Sequence, residues 1–232
     1  MKAFLLAAGI GSRLRPITDV TPKCMLPIGG RPMLDMWLDA FAEADVDEVL
    51  VNLHYLAEIV QNHLMERTVA PVVTLSFEPQ LLGSAGTLLA NRQWVEDDDF
   101  FLACNADNLT DFDLRSLIDS HRENGAIATL TAFHSPNPSS GGVMEVDSDG
   151  TVIGFTEKPE HPVSDLVNAG IYAFAPDVLD EIDSGGDRPM DIGYDLLPQL
   201  VGRAHAVPIE GYFRDIGTPE AYRQAQEDWV TR

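Results

Sequence analysis

The chain has 232 residues, 45% of them hydrophobic and 22% charged, with 18 Gly and 15 Pro, the make-up of a globular protein and not of a disordered or fibrous one. Its 15 Lys plus Arg stand against 37 Asp plus Glu, a formal charge of −22. That balance opposes a nucleic-acid partner, whose phosphate backbone demands a basic face, but not a small phosphate ligand held by a few placed cations and backbone N–H groups. Cys24 and Cys104 fall in no CxxC or Cys/His pattern and read as reduced thiols. The apolar start at residues 3–9 is too short to span a bilayer and has no signal-peptide cleavage pattern, so a cytoplasmic chain with no membrane partner is expected. Acidic clusters such as Glu96 to Asp99, and Asp177, Asp180, Glu181 and Asp183, read as a solvated face.

An apolar β-type run at 3–8 ends in Gly9 and Gly11. Residues 32–44 carry Met33, Met36, Trp37, Ala40, Phe41 and Ala44 at helical spacing, and Glu48–Leu53 is β again. A helix at 56–65, a strand at Val72–Phe77, a helix at 85–94 and a strand at 100–104 continue the alternation. Repeated βα units imply an α/β fold with a parallel sheet covered by helices on both faces. Ligands in such sheets sit beyond the carboxyl ends of the strands, which directs attention to the segments after Ala8, Phe77 and Cys104.

After Asp107 the pattern shifts to a helix at 114–122, a strand at 127–133, and a hairpin of 143–146 with 152–155 around Asp149-Gly150. A buried strand at 167–174, helical stretches at 176–182 and 192–200, and a terminal helix at 219–229 follow. The Gly/Ser/Pro-rich stretch 135–142 reads as a mobile loop. Neither an internal repeat nor a linker is visible, so a single domain over 1–232 is expected, with parts at about 1–110 and 111–232.

Three segments sit at the expected strand ends. Leu6-Ala7-Ala8-Gly9-Ile10-Gly11-Ser12-Arg13, running on to Thr21-Pro22-Lys23, offers bare backbone N–H groups with two cations, a combination suited to a nucleotide's phosphates. It is neither a dinucleotide fingerprint, since Leu14 stands where the third glycine belongs, nor a P-loop, since Gly-Lys-Ser and Gly-Lys-Thr are absent. Glu78-Pro79-Gln80-Leu81-Leu82-Gly83-Ser84-Ala85-Gly86 leaves a strand through small residues against which a base or ribose can lie, although Ser84 can equally be a helix N-cap. Asp107, after an apolar strand, can give Mg²⁺ one carboxylate oxygen, and Asp215 in Phe213-Arg214-Asp215-Ile216-Gly217-Thr218-Pro219 is the candidate for a second. Farther on, Lys158 in Glu157-Lys158-Pro159 can hold a second anion, while Glu157 and Asn168 can meet sugar hydroxyls.

Together and in this order the segments resemble the sugar nucleotidyltransferases, the nucleoside-diphosphate-sugar pyrophosphorylases, closest in pattern to short bacterial mannose-1-phosphate guanylyltransferase-like members. The family's GxGxRLxPxTxxxPK signature is matched by Gly9, Gly11, Arg13, Leu14, Pro16, Thr18, Pro22 and Lys23, and the EP…LGSAGTL, AD, EKP, NAGIY and RDIGTPEAY blocks follow in order. The resemblance implies an α/β fold with a Rossmann-like, mixed but mainly parallel sheet and helices on both faces, and condensation of a nucleoside triphosphate with a sugar 1-phosphate to give an NDP-sugar and pyrophosphate. It implies Arg13, Lys23, Asp107 and Lys158 as catalytic groups, with Mg²⁺ on Asp107 and Asp215. The nucleotide would lie on Leu6, Ala8, Gly9, Gly11, Glu78 and Gly83 in the first part, and the sugar phosphate on Gly142, Glu157, Lys158 and Asn168 in the second. Ala106 replaces the glycine that many members carry before the metal aspartate, and the chain ends soon after the GTPEAY block, so a catalytic domain alone is expected, with room for a homo-oligomer.

For the base, Glu78 can accept the two N–H donors on guanine's edge, which favours GTP with mannose 1-phosphate or a related hexose or heptose 1-phosphate. Uridylyl or thymidylyl transfer to glucose 1-phosphate or an amino-sugar 1-phosphate is the alternative. A metal-dependent glycosyltransferase using Asp111-Phe112-Asp113, and a non-catalytic nucleotide-sugar sensor, are the competing classes.

Overall fold

The computed structural model describes residues 1–183 and 188–231. Strands run in chain order as β1 (Lys2–Leu6), β2 (Pro27–Ile28), β3 (Arg31–Pro32), β4 (Glu48–Leu53), β5 (Val72–Phe77), β6 (Phe101–Asn105) and β7 (Asn108–Thr110). They continue as β8 (Ala128–His134), β9 (Gly142–Val146), β10 (Val152–Glu157), β11 (Leu166–Phe174), β12 (Ala204–Pro208) and β13 (Phe213–Asp215). The α-helices are α1 (Met33–Glu43), α2 (Ala57–Met65), α3 (Ser84–Ala90), α4 (Leu114–Asn124) and α5 (Pro219–Val230). The alternation is that of an α/β fold with a mixed sheet, as its sequence pattern implies.

The chain does not divide at one point near residue 110. One compact unit comprises residues 1–81, 104–112 and 211–232, the other 82–103 and 113–210. In the first, β4 pairs in parallel with β1 (Ala3 opposite Val49) and with β5 (Val49 opposite Val73). Ala3, Phe4, Leu5, Val49, Leu50 and Val51 are all buried, the near-continuous apolar run expected of a parallel strand covered on both faces. Helix α1 buries Met33, Leu34, Trp37, Leu38 and Phe41 along one stripe. Helix α5 starts where Thr218 accepts from Ala221 N and Pro219 occupies the first turn. Two short strands, β7 and β13, pair antiparallel, with Asn108 opposite Asp215, and so bring the chain's end back to the turn that follows β6.

In the second unit β8 pairs antiparallel with β11 and parallel with β12. The β9–β10 hairpin is confirmed: Asp147 Oδ1 accepts from Asp149 N and Thr151 N, and Gly150 supplies the left-handed φ of 86° that the turn needs. The stretch 85–94 is helical only to Ala90, followed by a 3-10 turn at Arg92–Trp94. The stretch 192–200 is a π turn (Ile192–Leu196) followed by a 3-10 turn (Leu197–Leu200), because Pro198 has no N–H and cannot extend a regular helix. Residues 176–181 form a 3-10 helix, and the 135–142 stretch carries a further 3-10 turn at Pro138–Ser140 before β9 begins.

Candidate active site

In the first unit, three chain segments bring charged groups together. Lys23 lies in a 3-10 turn between Pro22 and Leu26, with its side chain only 11% exposed. Its Nζ donates to Asp107 Oδ2 and lies 3.6 Å from Asp215 Oδ1. Asp107 occupies the turn between β6 and β7, and Asp215 ends β13. Ile216 N donates to the Asp107 carbonyl at 3.0 Å and Gly217 N to Asp215 Oδ1 at 2.6 Å, so the backbone itself sets the spacing of the two carboxylates. A Cβ on Gly217 would lie 2.8 Å from both Arg13 Nη2 and Asp215 Oδ1, which places the Arg13 guanidinium in the same cluster.

Burial, and then the negative charge of Asp107, push the Asp215 carboxyl above its usual range, with Lys23, the Gly217 N–H and Arg13 pulling the other way. Two carboxylates in mutual repulsion, both partly open to solvent, make a donor set that fits Mg²⁺, which takes one or two carboxylates and leaves its other positions to phosphates and water. Ala106 is not among the described non-glycine residues with positive φ, so alanine is accommodated without strain at that turn. Cys24, next to Lys23, is buried, and burial pushes its thiol up to about 12, far from a nucleophile's range.

The loop after β1 belongs to the same unit. Gly11 has φ 66°, and a Cβ there would meet Thr18 Cγ2 at 2.9 Å, whereas a Cβ on Gly9 would meet nothing within 4 Å. Leu6 O accepts from Ala106 N. The backbone N–H groups of Ala7 and Ala8, read from the sequence as bare, both donate to Asn52 Oδ1, at 2.6 and 3.3 Å. Glu78 is only 2% exposed, and its Oε1 accepts from Asn52 Nδ2 at 2.8 Å. Sequence reasoning missed Asn52. The available signal was a polar side chain in an otherwise apolar strand, which must find partners when buried.

In the second unit, β9 and β10 place Gly142 opposite Glu157. A Cβ on Gly142 would lie 2.7 Å from Glu157 Oε2, and one on Gly193 would lie 2.5 Å from the same oxygen, so the carboxyl sits against two bare backbones. Burial raises the Glu157 carboxyl above its usual range; Lys158 opposes the shift and Asp191 adds to it. Lys158 has a left-handed φ of 47°, rare for a non-glycine residue, and its Nζ lies 3.6 Å from Glu157 Oε1 and 5.8 Å from the centre of the Tyr194 ring. Asn168 uses its amide within β11, donating to Tyr172 Oη at 2.7 Å and accepting from Gly170 N at 3.1 Å. The 191–194 turn beside Glu157 and Lys158 was not singled out in the sequence.

Two further sequence readings change. Ser84 is not a helix cap: Gly83 occupies that position, and the Ser84 hydroxyl donates to Asp191 and accepts from Ile192 N. Gly83 itself has φ 80°, and a Cβ there would lie 2.2 Å from Met190 O, so close backbone packing accounts for this glycine. In Asp111-Phe112-Asp113 the carboxylates are engaged separately. Asp111 accepts from Tyr212 N, while Asp113 caps α4 by accepting from Arg115 N, so the metal motif of a glycosyltransferase is not formed.

The family model for nucleotidyl transferases matches residues 2–232. The chain is 37% identical over 251 residues to a UTP–glucose-1-phosphate uridylyltransferase of Synechocystis, covering 100% of this chain and 64% of that protein. It is 34% identical over 229 residues to a mannose-1-phosphate guanyltransferase of Candida albicans, covering 96% of this chain and 62% of that protein. The chain thus spans less than two thirds of the length of these curated relatives. Among solved structures, HddC from Yersinia pseudotuberculosis superposes with a TM-score of 0.81 at 25% identity, over 98% of each chain. No helix among the described residues is long and apolar enough to cross a membrane.

Proposed function

The chain belongs to the nucleotidyl transferase family, and from that premise we propose that it condenses a nucleoside triphosphate with a sugar 1-phosphate, giving an NDP-sugar and pyrophosphate. The observation that carries the reading is the Lys23 ammonium held between Asp107 and Asp215, with Arg13 and the Gly217 N–H alongside. A sugar-phosphate oxygen attacks the α-phosphorus in line, a new P–O bond forms, and the bond to the β-phosphate oxygen breaks as pyrophosphate leaves. Such a transfer needs positioning and charge neutralisation, not a protein nucleophile. Lys23 and Arg13 neutralise the triphosphate oxygens, and Asp107 and Asp215 would hold Mg²⁺. When bound, that ion would draw charge from the phosphate oxygens. Lys158 grips the sugar phosphate, and Glu157 accepts from sugar hydroxyls. The reaction would take place in the cytoplasm.

GTP with mannose 1-phosphate, or a related hexose or heptose 1-phosphate, is the favoured pair. A carboxyl at Glu78 suits the N–H donors of guanine, and a mannose-1-phosphate guanyltransferase is among the relatives. UTP with glucose 1-phosphate is the second reading, favoured by the 37% identity to a uridylyltransferase. The test is pyrophosphate release with Mg²⁺ over a matrix of GTP, UTP, dTTP, ATP and CTP against mannose, glucose, N-acetylglucosamine and heptose 1-phosphates. A GTP signal with mannose or heptose phosphate is expected. A signal with UTP alone moves the reading to the second pair, and silence throughout overturns the enzyme in favour of a sensor.

A further inference from the structure

Asn52 is the fifth of six residues in β4 and is 4% exposed. Its amide is assigned without ambiguity by its partners. The Ala7 and Ala8 N–H groups can only donate, so the atom facing them is Oδ1, and Nδ2 is left to donate to Glu78 Oε1. The Glu78 backbone is tied to the same strand end: Glu78 N donates to Leu53 O at 2.8 Å, and Glu78 O lies 2.8 Å from His54 Nδ1.

We propose that Asn52 is a positioning residue for nucleotide selection: one amide joins the backbone at Ala7 and Ala8 to the Glu78 carboxyl, so that the loop after β1 and the end of β5 present the nucleoside with a single frame. The proposal rests on the nucleotidyltransferase reading and deepens it. Among the ordinary side chains of this reach, only asparagine accepts from two backbone N–H groups and donates to a carboxyl at once. Aspartate keeps the acceptor but sets a second carboxyl against Glu78, serine is too short to span both, and leucine does neither. With these N–H groups occupied, Ala7 and Ala8 offer the nucleoside carbonyls and surface, while Glu78 is oriented by Asn52 from behind.

The test compares wild type with Asn52→Asp and Asn52→Ser, measuring kcat and KM for GTP, UTP and sugar 1-phosphate, calorimetric binding of GTP and UTP, and the melting temperature. Losing a hydrogen bond to a buried group predicts a rise of about tenfold or more in KM for the preferred nucleotide, and a similar narrowing of its advantage over the other, with kcat and the sugar-phosphate KM within about threefold. Asn52→Ser makes the same comparison if Asn52→Asp does not fold. Folded variants with a lower melting temperature but an unchanged nucleotide ratio would overturn the proposal while leaving the function reading intact. A wild type that neither binds nor turns over any nucleotide would overturn both.

Discussion

Replacing Lys23 with methionine removes an ammonium while keeping an unbranched side chain, so the change isolates charge. Nζ of Lys23 donates to Asp107 and stands 3.6 Å from Asp215 Oδ1. Unit charges at such a separation interact by about 4–5 kcal/mol at an effective dielectric near 20 and by about 1 kcal/mol in bulk water. The Asp215 side chain is 54% exposed, which places the effect on stability in the lower half of that range. Without metal or substrate, Lys23→Met should therefore cost about 1–2 kcal/mol, or a few degrees in melting temperature at this size. Catalysis should suffer more, because a preorganised charge aimed at the transferring phosphoryl group is worth about 10²–10³ in kcat. Scanning calorimetry reads the first effect and pyrophosphate release at saturating substrates the second. Combining Lys23→Met with Asp107→Asn should cost less stability than the sum of the single changes, because both act on one ion pair. A folded Lys23→Met protein with kcat within about tenfold of wild type would refute the assigned role.

Two other substitutions separate function from stability. Because Asp215 titrates above the usual carboxylate range in the folded chain, the folded state holds its proton more tightly than the unfolded one, and stability is lost as pH rises from the ordinary range through the raised one. Asp215→Asn should therefore melt above wild type at neutral pH without metal, while turnover falls about a hundredfold; melting curves over the acid-to-neutral range check the sign, and a variant less stable than wild type at neutral pH contradicts it. Gly217→Ala should leave the melting temperature nearly unchanged, since the Cβ would meet the side-chain tips of Arg13, Asp215 and Lys23 and not backbone, but lower kcat by about tenfold by displacing those tips. Steady-state rates at fixed Mg²⁺ test this, and a fully active Gly217→Ala protein contradicts the requirement for these tips to hold their positions around Gly217.

Strand β4 was legible with its exact ends because a strand buried between neighbours reads as one apolar run, and the ends of β5 were legible from its β-branched and aromatic residues although Val72, Leu75 and Phe77 stay exposed. Strands β2, β3, β7 and β13 were not resolved as pairs, since two or three residues carry no periodicity. Yet the β7–β13 pairing carries the most chemistry, because it sets Asp215 opposite Asn108, the residue after Asp107. The sequence order of Arg13, Lys23, Asp107 and Asp215 suggested a common site, but their convergence depends on residues 211–232 returning to the first unit, a contact at long range that no local spacing encodes.

Asn52 and Glu78 show where pattern reading stops. A glutamate after a strand invites the reading of a free carboxylate facing a base, and the two residues before Gly9 invite the reading of free N–H groups facing phosphate. The structure connects both through one buried amide. A buried polar side chain is costly unless bonded, so the fact that Asn52 interrupts an apolar strand already demands partners, but not which ones. The partners it finds are parts of the two segments assigned to the nucleoside. Selectivity at such a site would then depend not only on the groups that meet the base but on the asparagine behind them, and a change at position 52 should alter which nucleotide is accepted before it alters how fast the bond is made.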